Sequence, residues 1–302
     1  LRKLILEKKT LIGLFILVGG VTFSEASYAQ EFTSGIRPGG MGDAFTAVAD
    51  GTAAIYHNPA GSARSVMYAL EASYEYTPTG NVLAASIVDS KTNPQLSAGL
   101  GYSYFFARDS EVKGHDIRLS LAIPIVPDKI SVGVGGRYLI IGDTQKIENE
   151  AGTRVDTDVE ILNGFTLDAG IMIKLAPQFH IGVAGQNLID QCNRVDCKSI
   201  APTIIQGGVG FTTEDGLIIS GDFGADLSSG PEVGIEFGVG AEYLISVVPV
   251  RVGFFRKGVS ETNWVTFGGG WRSKAAGIDV GMKLNLDDTS VFQTGGSISV
   301  YF

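Results

Sequence analysis

The sequence predicts an all-β protein, a transmembrane β-barrel of the outer-membrane type built from about fourteen antiparallel strands. Three observations predict it. The chain opens with a secretory leader. The remainder is apolar and glycine-rich yet holds no stretch long enough for a membrane-spanning helix. Its segments alternate, one after another, between an aliphatic face and a face of glycine, hydroxyl and charge.

The leader is read first. Arg2, Lys3, Lys8 and Lys9 make a positive start, Leu11 to Val21 is an apolar run, and Ser27-Tyr28-Ala29 places small residues at a cleavage site. The run is shorter than the ~20 apolar residues a spanning helix requires. Residues 1–29 are therefore expected to be a signal peptide, cut before Gln30. Removing the leader's four basic and two acidic residues from the totals of 23 and 32 leaves 19 basic and 30 acidic, a net charge of −11. That balance excludes a nucleic-acid partner bound through a basic face.

The mature chain is rich in hydrophobic residues and carries 41 glycines. Only helices and closed barrels satisfy the backbone in lipid, so the apolar content without a spanning helix points to strands. Ile117, Leu119, Leu121 and Ile123 alternate with Arg118, Ser120 and Ala122. Phe165, Leu167, Ala169, Ile171 and Ile173 alternate with Thr166, Asp168, Gly170 and Met172, and Ile278, Val280, Met282 and Leu284 with Asp279, Gly281 and Lys283. A soluble sandwich turns its aliphatic face inward. Charges in mid-strand on the other face suit a lipid-facing exterior around a polar lumen.

The period-two pattern predicts strands over 68–77, 82–90, 95–107, 114–125, 129–141, 161–175, 178–188, 202–213, 216–226, 231–245, 247–256, 261–273, 275–286 and 291–302. With the first strand running outward, the even connections fall on the periplasmic side and are all short. The longest connections, 142–160 and 189–201, fall on the external side, as bacterial barrels arrange them. Aromatic residues gather near strand ends, at Tyr74 and Tyr76, Tyr102 to Phe106, Phe254 and Phe255, Trp264 and Trp271, and Tyr301 and Phe302, where interfacial girdles are expected. The last strand, with Ile298, Val300 and Phe302 on one face, resembles the C-terminal signal read by the bacterial barrel-assembly machinery. Outer-membrane lipid and that machinery are thus the expected partners.

The segment before the barrel does not alternate. Between Gly35 and Gly61 small residues dominate, so its backbone can pack closely against walls. Asp50 is placed to N-cap a short helix over Thr52 to His57, and Pro59 biases Asn58 away from the helical region.

This run resembles the N-terminal signature of the FadL superfamily of outer-membrane proteins, in its PorV and PorQ variant. Gly35, Arg37, Gly40, Met41, Gly42, Ala44, Phe45, Ala47 to Asp50, Tyr56 and Asn58 to Gly61 match that signature. Ile36, Asp43 and His57 depart from it. The resemblance implies a fourteen-strand barrel, residues 68–302, with residues 30–67 folded into the lumen as a hatch. It implies one of two roles. FadL-type members pass small hydrophobic molecules such as fatty acids or aromatic hydrocarbons; PorV-type members serve protein export at the surface and bind a partner protein of a secretion complex. The long external loops of FadL are lacking here. Met41, Gly42, Phe45, Ile55, Tyr56, Asn58 and Pro59 are the hatch residues expected to line a ligand's route.

Other candidate sites are weighed on the residues themselves. The expected lumen carries Arg118, Arg137, Lys174, Arg251 and Lys283 against Asp168, Asp222, Asp226, Glu236, Glu242 and Asp279. Five cations against six anions suit mutual pairing and hatch anchoring; a selectivity ladder would favour one sign. Cys192 and Cys197, the only cysteines, lie in an expected external loop of an oxidising compartment and are read as a disulfide. His57, His115 and His180 do not converge, which argues against an enzyme. Gly39-Gly40-Met41-Gly42 lacks the Lys-Ser/Thr ending of a phosphate loop. No metal or cofactor is expected.

Overall fold

A computed structural model of the chain describes residues 35–148, 154–189 and 200–302. The leader and its cleavage site, and Cys192 and Cys197 with their disulfide, lie outside the described residues.

The strands are β1 (Tyr68–Tyr76), β2 (Gly80–Asp89), β3 (Ser97–Ala107), β4 (Lys113–Val126), β5 (Ile130–Glu148), β6 (Arg154–Lys174) and β7 (Phe179–Gln186). They continue as β8 (Ile204–Thr212), β9 (Leu217–Asp226), β10 (Gly234–Ile245), β11 (Val248–Arg256), β12 (Asn263–Arg272), β13 (Ala276–Asn285) and β14 (Phe292–Tyr301). Each pairs antiparallel with its sequence neighbours, and β1 pairs with β14, closing a barrel of fourteen strands. Closure removes the sheet edge that lipid cannot hydrogen-bond. The end at which β1 begins and β14 finishes is called the lower end below.

The two strand faces sort as their chemistry requires. Val134, Val209, Phe223, Val280 and Ile298 are each more than half exposed on the outside, with dozens of similar side chains around the wall. Apolar exposure on that scale is incompatible with water and suits lipid. The inward positions hold Arg118, Arg137, Asp168, Glu242, Arg251 and Asp279, all buried. No helix among the described residues is long and apolar enough to cross a membrane.

Four sequence expectations change. First, 142–148 and 154–160 are strand: β5 and β6 stay paired through Glu148 with Arg154, whereas β5 pairs with β4 only up to Gly142 with Lys113. The excess is a two-stranded hairpin standing about 20 Å above the wall, at ~3.3 Å per residue. Its charged residues disguised the alternation. Second, Asp50 does not cap with its side chain. A 3-10 turn, Gly51–Ala53, runs directly into a helix, Ala54–His57, and the Asp50 carboxylate instead binds Arg37. Asn58 is extended, at φ −154°, as the following proline demands.

Third, the aromatic girdle is thinner than expected. Tyr74, Tyr102 and Trp271 face outward, but Phe105 and Trp264 are buried, and Phe255 and Tyr301 share the inward parity of their strands. Phe105 belongs to an apolar cluster with Val82, Val112, Leu139, Ile141, Leu162 and Ile200. That cluster fills the upper lumen between β2 and β6, so the lumen is not polar throughout. Fourth, Lys174 keeps the inward parity but is exposed at the lower mouth and takes no part in the buried network.

Candidate functional site

Residues 35–67 touch inward positions on strands all round the barrel, a placement open only to a segment inside it. A short helix, α1 (Ile36–Gly39), packs on β12, β13 and β14; a second, α2 (Ala54–His57), on β3 and β4; and the turn Pro59–Ala63 on β3 to β6. Glycines in the wall make the fit possible. A Cβ at Gly133 would fall on the backbone of Pro59 and Ala60, at Gly182 on the Thr46 carbonyl, at Gly240 on the Met41 carbonyl and at Gly253 on the Gly42 amide. Gly42 itself sits at φ +62°, where side chains are strained, and its neighbours are the backbones of Val239 and Phe254.

Wall side chains then satisfy the segment's backbone. The Phe45 and Thr46 amides both donate to Asp222 Oδ2 at 2.8 Å. Gly42 N donates to Thr266 Oγ1, and Ser220 Oγ donates to the Ala44 carbonyl. Gln186 and Gln206 donate to the carbonyls of Tyr56 and His57. Asn58 donates to Thr46 O within the segment and to Ile171 O in the wall, while its own carbonyl accepts from Ala60 N. A buried backbone polar group left unpaired is costly, so these bonds are what allow a non-helical, non-strand segment to sit in a lumen.

Two buried ion-pair centres stand on opposite walls. In one, Glu242 of β10 accepts from Arg37 Nε at 2.8 Å and from Arg251 Nε, with Arg272 at 3.9 Å; Arg251 Nη1 also reaches Asp279 Oδ1 at 2.6 Å. Arg37 Nη1 binds Asp50 at 2.6 Å, tying α1 to the rest of the segment. Burial opposes the Arg37 charge, but Asp50 and Glu242 more than offset it and hold the guanidinium above its ordinary pKa. In the other, Asp116 of β4, fully buried, accepts from Arg118 at 3.1 Å and from Arg137 at 3.0 Å. Arg118 also lies 3.9 Å from Asp168, and 5.1 Å above the ring of Tyr56, whose hydroxyl meets Ser86 Oγ at 2.7 Å. Lys283 binds Asp43 at 2.6 Å, a third tie between wall and segment.

Several spaces remain beside the segment, one of them, of about 110 Å³, at the lower mouth against Arg64, Ser131, Lys174 and His180. A vestibule of about 210 Å³ opens at the upper end, lined by Tyr56, Asp222, Glu236, Phe255, Trp264 and Lys283 among others. The Phe255 and Trp264 rings stack at 6° and 5.8 Å on its wall. A cavity of about 390 Å³ lies at the lower end between Arg37, Asp50, Glu71, Arg272 and Tyr301. A gap of about 20 Å³ lies beside α1, against Gly281 and Gly295.

The residues expected at a ligand route are thereby divided. Gly42 and Tyr56 line the vestibule. Met41 and Phe45 instead pack, fully buried, into the segment's own apolar core with Val48, Ala49, Ala54, Ala60 and Met172. Ile55 rests against Gly99 and Gly101, and Asn58 and Pro59 against Gly170. Of the lumen charges, Asp226 caps the turn of Ser228 and Ser229 at the upper rim, and Glu236 lines the vestibule. Ile298 and Val300 face outward, and Phe302 N donates to Tyr68 O with its ring edge-on to Tyr68.

Asp116, Arg37 and Asp43 were not singled out as charges in the sequence. Asp116 carried a usable signal, since it shares the parity of Arg118 two residues on. The partners of Arg37 lie 13 and 205 residues away, beyond any local pattern. No group of His, Cys, Asp and Glu suited to a metal occurs among the described residues.

No family model and no curated protein matches the chain. Among solved structures it resembles the toluene transporter TbuX of Ralstonia pickettii, with a TM-score of 0.56 and 16% identity over 88% of this chain and 97% of that one. The toluene transporter TodX of Pseudomonas putida gives 0.58 and 11% over 87% and 95%. A FadL homologue from Pseudomonas aeruginosa gives 0.56 and 12% over 87% and 96%. At these identities the likeness establishes architecture: the chain has the closed fourteen-strand fold of FadL-type outer-membrane barrels.

Proposed function

We propose that the protein is an outer-membrane channel for passive, hatch-gated passage of small hydrophobic molecules, of the fatty-acid or aromatic-hydrocarbon class. The observation that carries this is a lumen filled by the chain's own residues 35–67 yet bordered by a vestibule above and a cavity below. An unplugged aqueous porin has no use for such a filling, and a purely structural barrel has no use for two facing cavities. The stacked Phe255 and Trp264 offer an apolar surface at the vestibule wall. The transporters that share the fold are described as carrying toluene. On this reading the lower end is periplasmic, the leader directs export, and Ile298, Val300 and Phe302 serve the assembly machinery.

The test is uptake of radiolabelled toluene and oleate by proteoliposomes holding the purified protein. Uptake of either compound above that of empty vesicles supports the reading, and uptake of both no greater than that of empty vesicles overturns it. A second reading, a surface scaffold binding a secretion-complex partner protein, is favoured by the burial of Met41 and Phe45 in an apolar core and by the paired extension of β5 and β6 past the end of β4. Co-purification of a large partner, lost when residues 143–159 are shortened, would support it.

A further inference from the structure

We propose that the lower mouth of the barrel holds an anion site, formed by Arg64, Lys129 and Lys174, that takes a phosphate group. The three residues arrive from different elements. Lys129 ends the β4–β5 turn, Lys174 ends β6, and Arg64 follows the last turn of the segment. Ile130 pairs with Ile173, and Lys174 N donates to Lys129 O at 2.7 Å, so the two lysines stand opposite each other on neighbouring strands. Lys174 is likewise opposite His180 of β7. Directly opposed side chains share a face, here the inward one, with Cβ atoms about 5 Å apart. Arg64 closes the group from inside. Its Nη1 donates to the Ala47 carbonyl at 3.2 Å, and its Nη2 lies 3.3 Å from both ring nitrogens of His180. That ring is buried, and its Nε2 meets Thr212 Oγ1 at 2.9 Å, which fixes the surface on which the guanidinium rests. Together these groups line the space of about 110 Å³ at the lower mouth.

Like charges directly opposite each other destabilise a sheet. Elsewhere in the lumen such charge is neutralised: Arg37, Arg118, Arg137, Arg251 and Lys283 each lie 2.6 to 3.1 Å from a carboxylate oxygen. Arg64, Lys129 and Lys174 have no carboxylate partner among the described residues. Asp128 lines the same space but forms no ion pair with any of the three. The chain as a whole is acidic, at −9, so uncompensated positive charge here is no overflow of basic residues. The space is closed above, where Ser131 Oγ donates to the Ala60 carbonyl and Met172 packs into the segment's apolar core. A ligand therefore enters from below with its charged end leading. A carboxylate offers two oxygens in one plane. A phosphate offers three or more in a tetrahedron and carries about −1.5 to −2 charges, which suits a guanidinium on one side and two ammonium groups on the other. The group is either free in solution or the head of a phospholipid whose leaflet borders the lower mouth. This site stands apart from the cargo proposed above and does not depend on it.

The test is calorimetric titration of the full chain, folded in phosphate-free buffer and a detergent without phosphate. The probes are inorganic phosphate and monomeric dihexanoyl-phosphatidylglycerol, with dihexanoylglycerol as the lipid lacking the phosphate. Saturable binding of inorganic phosphate, weakened about tenfold or more in Lys129→Gln/Lys174→Gln, supports the site with a free anion as its ligand. Lys174→Gln alone is expected to fall between. Lys91→Gln, in an exposed turn at the same end, is expected to bind as the parent does. Unheated gels check that each variant is a folded barrel. Binding of the phospholipid but of neither inorganic phosphate nor dihexanoylglycerol, with the same loss in the double variant, supports the site with a lipid head as its ligand. Absence of binding by both phosphate-bearing probes overturns the proposal. So does binding that the double variant retains in full, or that Lys91→Gln loses equally.

Discussion

The two flanks of the lumen hold the same segment by different physics. From β5 round to β11, glycines let backbone lie on backbone, and the fit is completed by Asp222 accepting from the segment's amides and by Ser220, Gln186 and Gln206 donating to its carbonyls. Along β13, β14 and β1 the approach is looser: a Cβ at Gly281 would stand 3.2 Å from the Ile36 carbonyl oxygen, against 2.1 Å for Gly240 and the Met41 carbonyl, and the side chains of Ile36, Lys283 and Glu71 supply the ties. Backbone contact permits one arrangement, because closely packed atoms have no second position that avoids overlap. Side-chain contact permits several, because rotamers exchange. One flank is thereby packed more tightly than the other.

The sharpest way to break this comparison is to fill the tighter flank. Gly240→Val places a side chain where the Met41 carbonyl lies, so the segment should fail to seat. The expected result is loss of folded barrel on unheated gels, or a segment open to added protease; a normal, protease-resistant barrel would refute the backbone-on-backbone account. Next come the charge centres. Glu242→Ala removes the carboxylate that Arg37 and Arg251 share, leaving them Asp50 and Asp279, and breaking a buried pair costs about 3–5 kcal/mol. Denaturant unfolding should show that loss, with Glu242→Gln falling between. Asp116→Asn on the other wall should weaken the protein by less, since the asparagine oxygen still accepts from Arg118 and Arg137 where alanine accepts nothing.

Smaller effects sharpen the contrast. Tyr56→Phe removes the bond to Ser86 and should cost about 1 kcal/mol. Gly39→Ala puts its methyl against the flexible end of Lys283, 2.9 Å from Cε, and should change stability by less than about 1 kcal/mol. A large loss from that mild substitution would show that α1 is as firmly founded as the opposite flank.

Much of the barrel was legible because strand periodicity is local. Ile117 to Ile123 and Phe165 to Ile173 revealed their two faces without any knowledge of neighbours, and tight turns such as Val126-Pro127-Asp128 marked the joints. The β5–β6 hairpin was missed for the complementary reason. Beyond Gly142 the strand pairing of β5 is with β6 alone among the described residues, and the sequence there carries charged and polar residues in place of the aliphatic alternation of a wall strand. Phe105, Phe255 and Trp264 were misjudged because an aromatic near a strand end looks the same whether it anchors in headgroups or fills a lumen; only the register of the closed sheet distinguishes them. Asp116 was readable in principle from its parity with Arg118, whereas the partnership of Arg37 with Glu242 was not.

The sequence by itself determined that the chain is a barrel, where its wall strands run, which face meets lipid, and that charges stand inside. Those properties depend on side chains two residues apart and on the solvent each face requires. Only the tertiary structure decided which charges meet, which wall the segment rests on and where space is left. Such facts depend on closing a sheet of fourteen strands, which brings Arg37 to Glu242 across 205 residues and leaves a vestibule above the segment and a cavity below it.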